Sequence, residues 1–439
     1  MLNASPSLDV RPSVPAAPQN PPANNDTQLP KTKEPRAEQR VSFSQGERLI
    51  ETVVSSHGYF QFAVSGESKL LDSFADGKTQ IKPCFNLKTL WETGLVKFPS
   101  SVAPYSSTSA LVEEIKTFIR EYAAVPEEWL EILSLYILMT WVYDRFTAVP
   151  YLRFLGEPGT GKTRLLQICA SISYKGMVAS GNITGPALFR TIDLIRGTMA
   201  VDEADFKDSA EWSDITKVLN NGYSIGSPVL RCNRVENSDF IPAAFHVYGP
   251  KIISTRSRFA DEALETRCLT FETREHQLPA HIPLQLPLSF EQQALGLRNK
   301  LLKWRFDSFR QIQAKEEGLR NLFPRSGQVG ASLAAVAPNE ESRKRLVEFL
   351  QRYDTGRREG SDQHIVRQAL SQLRTNGSAI ATVGEVARAA RELSNDLGVD
   401  ELTPKRVGGI LRSLGFTPHR TKGGYVVDLP ELAGGELHG

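Results

Sequence analysis

The stretch FLGEPGTGKTRLL, residues 154–166, decides the fold of this chain. It satisfies the spacing GxxxxGK[ST], in which a lysine and a hydroxyl residue follow the second of two glycines. An apolar segment, PYLRFLG, precedes it, and a helical pattern, RLLQICASI, follows it. In a strand–loop–helix context, the backbone N–H groups of the loop and the amino end of the helix both attract an anion. The stretch therefore predicts a phosphate-binding loop rather than a plain turn.

The side chains of this loop have distinct predicted roles. Lys162 would reach the β and γ phosphates of a nucleotide, and the hydroxyl of Thr163 would bind Mg²⁺. Nine consecutive residues are predicted to contact the nucleotide: Gly156, Glu157, Pro158, Gly159, Thr160, Gly161, Lys162, Thr163 and Arg164.

An acidic pair follows the apolar part of GTMAVDEAD, residues 197–205. We predict that Asp202 holds Mg²⁺, directly or through water, and that Glu203 polarises the water that attacks the γ-phosphate. Two acidic residues at the end of a strand are common by themselves. Together with the loop they predict hydrolysis of a nucleoside triphosphate.

The composition limits the other classes of function. The 52 Lys and Arg residues against 50 Asp and Glu leave a net charge of +2, so any nucleic-acid site must be local. The four cysteines show no CxxC spacing, which argues against a zinc site and fits a reducing, cytoplasmic setting. The apolar run at residues 129–143 is too short to cross a bilayer, so we expect no membrane partner.

Five regions follow from patterning along the chain. Residues 1–40, rich in Pro, Ala, Asn and Ser, are predicted to be a disordered tail, and short strand patterns in residues 41–107 predict a small accessory region. Alternating strand and helix patterns in residues 108–285 predict an α/β core with a largely parallel sheet. Helices predominate in residues 286–355, and residues 364–432 form a compact tail module.

The order of parts after the acidic pair resembles the AAA+ ATPases. A predicted hairpin at residues 228–247, a polar strand end in KIIST and an arginine before the last apolar strand follow one another. Within that class, residues 110–350 resemble the mini-chromosome-maintenance-like helicases of phages and mobile elements. The resemblance implies a P-loop three-layer α/β domain with a helical lid, ATP and Mg²⁺ as ligands, and a homo-oligomeric ring, by expectation a hexamer.

The resemblance also implies roles for residues outside the loop. The hairpin of such enzymes points into the central pore and tracks single-stranded DNA, so Arg231 and Arg234 would contact DNA phosphates. Ser254 or Thr255 would occupy the first sensor position. Arg267 would be an arginine finger that reaches the ATP of a neighbouring subunit.

A second sensor arginine is expected from the helical lid. Arg325 is the preferred candidate, and Arg298 and Arg305 compete for the role.

The tail module resembles a winged helix. Thr403 would cap its last helix, Pro404 would take the first helical position, and a hairpin would turn at Gly423 and Gly424. Five basic residues are predicted to contact duplex DNA: Lys405, Arg406, Arg412, Arg420 and Lys422. Protein docking by this module stays open as the alternative.

Three functions remain possible at this point. The first is an ATP-driven, ring-forming DNA helicase or helicase loader that acts in replication of a mobile element. The second is an AAA+ remodelling or regulatory ATPase that acts on protein partners. The third is a DNA-binding switch that uses ATP only for assembly and does not need hydrolysis.

Overall fold

The computed structural model describes residues 37–77, 79–180, 183–204, 210–233, 241–259, 261–274, 277–359, 362–397, 402–421 and 424–429. Most of the predicted disordered tail, residues 1–36, lies outside the described residues.

Six short strands form two small sheets in the amino-terminal region. These strands are β1 (Ala37–Arg40), β2 (Ser42–Gln45), β3 (Arg48–Val54), β4 (Phe60–Val64), β5 (Phe74–Asp76) and β6 (Thr79–Pro83). One sheet has the order β2-β3-β4 and the other the order β1-β6-β5. Phe62 and Ile81 are fully buried between them, and a short helix, α1 (Lys88–Glu92), follows. The short strands predicted for residues 41–107 are therefore present.

Two helices lead from this region into the core. Helix α2 (Thr108–Tyr122) begins at Ser107, whose hydroxyl accepts a hydrogen bond from the backbone N–H of Ala110 at 3.1 Å. Helix α3 (Glu127–Thr140) follows Pro126, and every residue from Trp129 onwards in it is buried. No helix among the described residues is long and apolar enough to span a membrane. The apolar run at residues 129–143 thus forms a core helix.

A five-stranded parallel sheet forms the centre of the protein. Its region contains, in chain order, β7 (Tyr151–Leu155), α4 (Lys162–Ile172), β8 (Met177–Ser180), α5 (Gly185–Ile195), β9 (Met199–Asp202), α6 (Ala210–Asn221), β10 (Val229–Asn233), β11 (Ile241–Phe245), β12 (Lys251–Thr255), α7 (Glu262–Glu265) and β13 (Cys268–Glu272). The strand order is β13-β7-β12-β9-β8, and β10 and β11 form a separate antiparallel hairpin. Because all five strands are parallel, their carboxyl ends lie side by side and form one end of the sheet, the carboxyl edge.

Helices and a small sheet complete the chain. They are α8 (Ser289–Ser308), α9 (Pro324–Val336), α10 (Glu340–Glu359), α11 (Asp362–Thr375), β14 (Ile380–Thr382), α12 (Val383–Leu397), α13 (Pro404–Ser413), β15 (His419–Thr421) and β16 (Gly424–Asp428). The Thr403 hydroxyl accepts a hydrogen bond from the backbone N–H of Arg406 at 3.3 Å, so the predicted cap of α13 is present. Strand β14, which pairs with β16, was not anticipated.

A buried ion network joins the amino-terminal strands to the core. The carboxylate of Glu51 on β3 accepts hydrogen bonds from Arg305 Nε at 2.9 Å and from the Tyr174 hydroxyl at 2.8 Å, and Lys175 Nζ lies 3.4 Å from it. Arg305 also contacts Asp144 at 2.8 Å. Burial lowers the pKa of Lys175 to about 8, whereas the charge of Glu51 acts to raise it. Arg305 and Lys175 thus share the buried carboxylate of Glu51, which comes from the amino-terminal strands.

Arg305→Ala is expected to lower the free energy of unfolding by about 3–5 kcal/mol, because Glu51 would be left buried beside only one cation. Urea denaturation of the two proteins measures the difference. The control is Arg310→Ala, whose side chain is 48% exposed and pairs with the more exposed Glu47. It should change stability by less than about 1 kcal/mol. Equal midpoints for the two variants would contradict a structural role for the network.

Candidate functional site

The predicted phosphate loop connects β7 to α4 at the carboxyl edge of the parallel sheet. Its Gly161 has φ +88°, a left-handed conformation that favours glycine. A Cβ atom on Gly156 would overlap the carbonyl oxygen of Thr273, so only glycine fits there. Lys162 Nζ donates a hydrogen bond to the carbonyl oxygen of Glu157 at 2.7 Å. The loop therefore closes around its lysine in front of the amino end of α4.

The Asp202 carboxylate, at the end of β9, joins this loop to the next strands. Its Oδ1 atom accepts hydrogen bonds from Thr163 Oγ1 and the backbone N–H of Glu203, both at 3.2 Å, and a short one from the Ser254 hydroxyl. A hydroxyl and a carboxylate oxygen are ligands that Mg²⁺ accepts, with water and phosphate oxygens as the others. No cluster of three His, Cys, Asp or Glu side chains among the described residues could hold a metal by itself. The residues present thus fit a magnesium ion that is shared with a phosphate ligand.

Glu203 differs from its neighbour in both backbone and exposure. Its φ of +53° lies in the left-handed region, which costs a non-glycine residue about 1–3 kcal/mol. The backbone N–H of Glu203 donates to the Ser254 hydroxyl at 2.9 Å, which helps to hold this conformation. Its side chain is 70% exposed and lies 3.9 Å from the guanidinium group of Arg256. Sequence reasoning did not identify Arg256, because its contact depends on this unusual backbone.

Two other residues predicted to bind nucleotide lie at the same edge. Thr255 is buried, and its hydroxyl has no hydrogen-bond partner among the described residues, although its carbonyl accepts from the backbone N–H of Gly156 at 3.2 Å. The guanidinium group of Arg164 donates to the carbonyl oxygen of Pro283 at 2.5 Å and also to that of Leu284. Arg164 therefore fastens the segment that enters the helical region onto α4.

A cavity of about 1090 Å³ opens beside the loop. Thr160 and Leu165 form one wall, and the turn at residues 123–126 between α2 and α3 forms another. Tyr353 on α10 and His281 line the remaining sides. The cavity thus extends from the phosphate loop to the helical region.

Arg267, the predicted arginine finger, lies at the amino ends of the strands, which form the amino edge of the sheet opposite the phosphate loop. Arg267 immediately precedes β13, and its carbonyl oxygen accepts a hydrogen bond from Tyr151, the first residue of β7, at 2.9 Å. Its side chain is 9% exposed, donates to Asn220 Oδ1 and lies 4.2 Å from the ring centroid of Tyr223. Arg325, at the start of α9, lies 4.7 Å from the same ring. The two arginines are therefore neighbours, and neither adjoins the phosphate loop of its own chain.

The two arginines that competed with Arg325 are bonded inside the protein. Arg298 donates to the carbonyl oxygens of Phe98 at 3.1 Å and Ser171 at 2.6 Å. Arg305 belongs to the buried network around Glu51. Both guanidinium groups hold structural elements together.

The hairpin packs one of its faces against α5. The Arg231 guanidinium lies 5.3 Å from the ring centroid of Phe189, and Arg190, which is exposed, lies 5.7 Å from that centroid and 5.8 Å from the centroid of Phe245. On the other face, Leu230 is 63% exposed. Arg190 was not predicted, because only the fold brings α5 beside the hairpin. Arg234 lies outside the described residues.

The basic residues of the tail module do not share one environment. Arg406 makes an ion pair with Asp362 at 2.5 Å, so part of its charge is already neutralised. Lys405, Arg412 and Arg420 are exposed, and Arg420 lies directly across the sheet from Tyr425. Lys422 lies outside the described residues.

No protein-family model matches the chain, and no curated protein matches it in sequence. Among solved structures, the active helicase Cch of SCCmec type IV is 12% identical, with 90% of this chain and 79% of that chain covered and a TM-score of 0.40. A full-length MCM homolog from Methanopyrus kandleri is 12% identical over 72% and 75% of the two chains, with a TM-score of 0.38. The NrS-1 C-terminal region is 11% identical over 87% and 96%, with a TM-score of 0.33. At TM-scores below 0.5 these neighbours assign neither a family nor an activity to this chain.

Proposed function

We propose that this chain is an ATP-hydrolysing, ring-forming AAA+ motor that acts on DNA, as a helicase or helicase loader in replication of a mobile element. The observation that carries the proposal is the convergence of Thr163 and Ser254 on Asp202, with the exposed carboxylate of Glu203 beside them. One carboxylate is held by hydroxyl groups and suits a metal-binding role. The other is accessible to water and suits a general base.

The loop residues account for binding of the triphosphate. Lys162 now donates to a carbonyl oxygen of its own loop and would exchange that hydrogen bond for a phosphate oxygen. The N–H groups at the amino end of α4 supply further donors. Thr163 and Asp202 would hold magnesium, which neutralises charge on the β and γ phosphates when it is bound. Ser254 keeps the Asp202 carboxylate oriented toward Thr163.

The cavity beside the loop would receive the nucleoside. It begins at Thr160 and Leu165 and is closed by the turn at residues 123–126 and by Tyr353. A mostly apolar wall with an aromatic ring suits a purine base. Since α10 forms one wall, nucleotide binding would couple the helical region to the sheet.

Arg267 would act on the nucleotide of a second copy. It lies at the amino edge of the sheet, so it cannot reach the loop of its own chain at the carboxyl edge. A head-to-tail arrangement brings these two edges of neighbouring chains together, and such a contact forms a ring when the rotation between successive copies closes. The guanidinium fork would then stabilise charge on the phosphoryl group as it transfers.

DNA would contact the protein at the seam between the hairpin and α5. Arg231 and Arg190 lie on the same aromatic pair, Phe189 and Phe245, whose ring centroids are 4.7 Å apart. Arginines backed by aromatic rings suit the phosphates and bases of a single strand. The tail module, as a winged helix, would add duplex contacts through exposed residues, namely Lys405, Arg412 and Arg420.

One observation favours the alternative of a remodelling ATPase that acts on proteins. The face of the hairpin that is turned away from α5 carries Leu230, 63% exposed, together with the exposed Cys232 and Ala244. An apolar strand face suits an unfolded polypeptide better than a phosphate backbone.

Lys162→Ala is expected to abolish uptake of nucleotide, because the loop loses its cationic side chain. Binding of a fluorescent ATP analogue in the presence of magnesium measures the effect. The control, Lys88→Ala, removes an exposed lysine from α1 and should bind as the parent does. Parental affinity in Lys162→Ala would remove the basis of the proposed function.

Glu203→Gln is expected to bind nucleotide normally and to hydrolyse it about 10²–10⁴-fold more slowly, because the general base is lost. Steady-state ATPase rates and DNA unwinding are measured together. If unwinding persists while turnover collapses, a switch that does not need hydrolysis is the better description.

Arg190→Ala and Arg231→Ala are each expected to weaken binding of single-stranded DNA. Each should also make the negative slope of log K against log salt shallower by about 0.7, the value for one phosphate contact to a single strand. Fluorescence anisotropy over a range of salt concentrations measures the slope. Arg320→Ala, which removes an 85% exposed arginine, is the control and should leave it unchanged. Unchanged slopes in the first two variants would favour the protein-remodelling alternative.

A further inference from the structure

Two arginines share one aromatic ring without a carboxylate partner. Arg267 and Arg325 lie 4.2 Å and 4.7 Å from the centroid of Tyr223. Their hydrogen bonds to other side chains go to neutral groups: Arg267 donates to Asn220 Oδ1, and Arg325 donates to Gln328 Oε1 and to the phenol oxygen of Tyr223. Within the described ranges, neither has an acidic oxygen within 4 Å, and Arg267 Nε has no hydrogen-bond partner at all. The charge of Arg267 acts on the Asp261 carboxylate, whose pKa it helps to lower, but Asn220 lies between the two groups and no direct ion pair forms among the described residues.

Two other buried arginines of the chain pair directly with carboxylates. Arg153 pairs with Glu265, and Arg305 pairs with Glu51 and Asp144. Such pairing is the usual condition for burying a guanidinium group, because the desolvated charge is otherwise costly. The arrangement of Arg267 departs from that pattern, which is what a site for an external anion requires.

Tyr223 is well placed to hold both side chains. It lies two residues beyond the end of α6, and its carbonyl oxygen accepts a hydrogen bond from the backbone N–H of Val149, just before β7, at 2.9 Å. Asn220, at the end of α6, contacts Arg267 and also donates to Asp261 at 2.6 Å. The end of α6 is therefore fixed to both the sheet and the segment before α7.

The electrostatics of the ring reflect its two neighbours. Burial acts to raise the pKa of Tyr223, but hydrogen bonds from Arg325 and Ser224, together with the charges of the two arginines, lower it overall. The electron-rich ring and its phenol oxygen thus offset part of the repulsion between the guanidinium groups.

Tyr223 and Arg325 face an open cavity of about 740 Å³, which Thr266, Phe323, Pro324 and Gln328 also line. Arg267 does not line this cavity itself, because its side chain is buried beside the ring of Tyr223. This cavity lies at the amino edge of the sheet, away from the phosphate loop of the same chain. An open space and the guanidinium group of Arg325 therefore occur together on a surface that a second copy could approach, and Arg267 lies next to them.

We propose that Tyr223 is a positioning residue that holds the guanidinium groups of Arg267 and Arg325 side by side for one phosphate group of a nucleotide bound by a second copy of this chain. The inference rests on the proposed function and goes beyond it by naming what sets the spacing of the two cations. The ring fixes where the side chains point, and it touches no reacting atom itself.

The first test compares Tyr223→Ala with Tyr223→Phe in the full-length chain. Tyr223→Ala should lower kcat by about threefold to thirtyfold, the range of cation–π contacts of this kind. Affinity for a non-hydrolysable ATP analogue should not change, because the phosphate loop is intact. Tyr223→Phe keeps the ring and should restore most of kcat. Tyr59→Ala, which removes a 70% exposed ring elsewhere, is the control and should match the parent.

The second test mixes two defective variants. Lys162→Ala has a damaged loop and an intact Tyr223 surface, whereas Tyr223→Ala has the reverse. Mixed assemblies contain contacts in which both halves are intact, so ATPase activity should exceed the sum of the separate proteins. A purely structural role for Tyr223 within its own chain gives no such recovery.

The outcomes separate this inference from the function on which it rests. Loss of kcat in Tyr223→Ala, rescue by phenylalanine and recovery on mixing support it. A kcat of Tyr223→Ala equal to that of the parent overturns the inference. It is also overturned if Arg267→Ala regains ATPase activity when mixed with Lys162→Ala but Tyr223→Ala does not. If neither variant regains activity, the assignment of Arg267 as the residue that acts between subunits is wrong, and the proposed role of Tyr223 is wrong as well.

Discussion

Oxygen Oδ1 of Asp202 accepts three hydrogen bonds, and the geometry of the candidate site depends on them. The donors come from α4, from the end of β12 and from the residue that follows Asp202 itself. Because β12 lies between β7 and β9 in the sheet, Ser254 can bridge the strand of the acidic pair and the strand of the loop. The left-handed backbone of Glu203 is stabilised by the same serine hydroxyl. A single carboxylate therefore determines both the position of the proposed magnesium ligand Thr163 and the backbone direction of the neighbouring glutamate.

The parallel sheet has functional groups at both of its edges. The loop, Asp202 and Ser254 lie at the carboxyl ends of the strands, and Arg267 lies at the amino end of β13. The length of a five-residue strand separates the two groups, about 16 Å at the usual rise of 3.3 Å per residue. The proposal that Arg267 acts on a nucleotide bound by a neighbouring chain rests on this separation.

The local parts of the site could be predicted from the sequence, and the parts that depend on tertiary contacts could not. The loop and the acidic pair are contiguous motifs, and the strands on which they lie have clear apolar patterns. The cap of α13 was likewise readable, because Thr403 and Pro404 act within one turn. The contacts of Tyr223, Arg190 and Arg256 could not be predicted from the sequence, because each depends on a neighbour from another element. Arg164 shows the same limit, since its position in the motif gave no sign that it binds backbone carbonyls far along the chain.

The sequence predicts that the amino-terminal strands form only an accessory region. Glu51 on β3 is nevertheless the shared acidic partner of Arg305 and Lys175. Arg305 is 254 residues away from Glu51 along the chain. A shortened protein that started at α2 would expose the apolar surface beneath β3, leave the buried Lys175 without its acidic partner and leave Arg305 with Asp144 alone. The smallest stable unit for biochemistry therefore has to include these strands, even if none of their residues ever touches nucleotide or DNA.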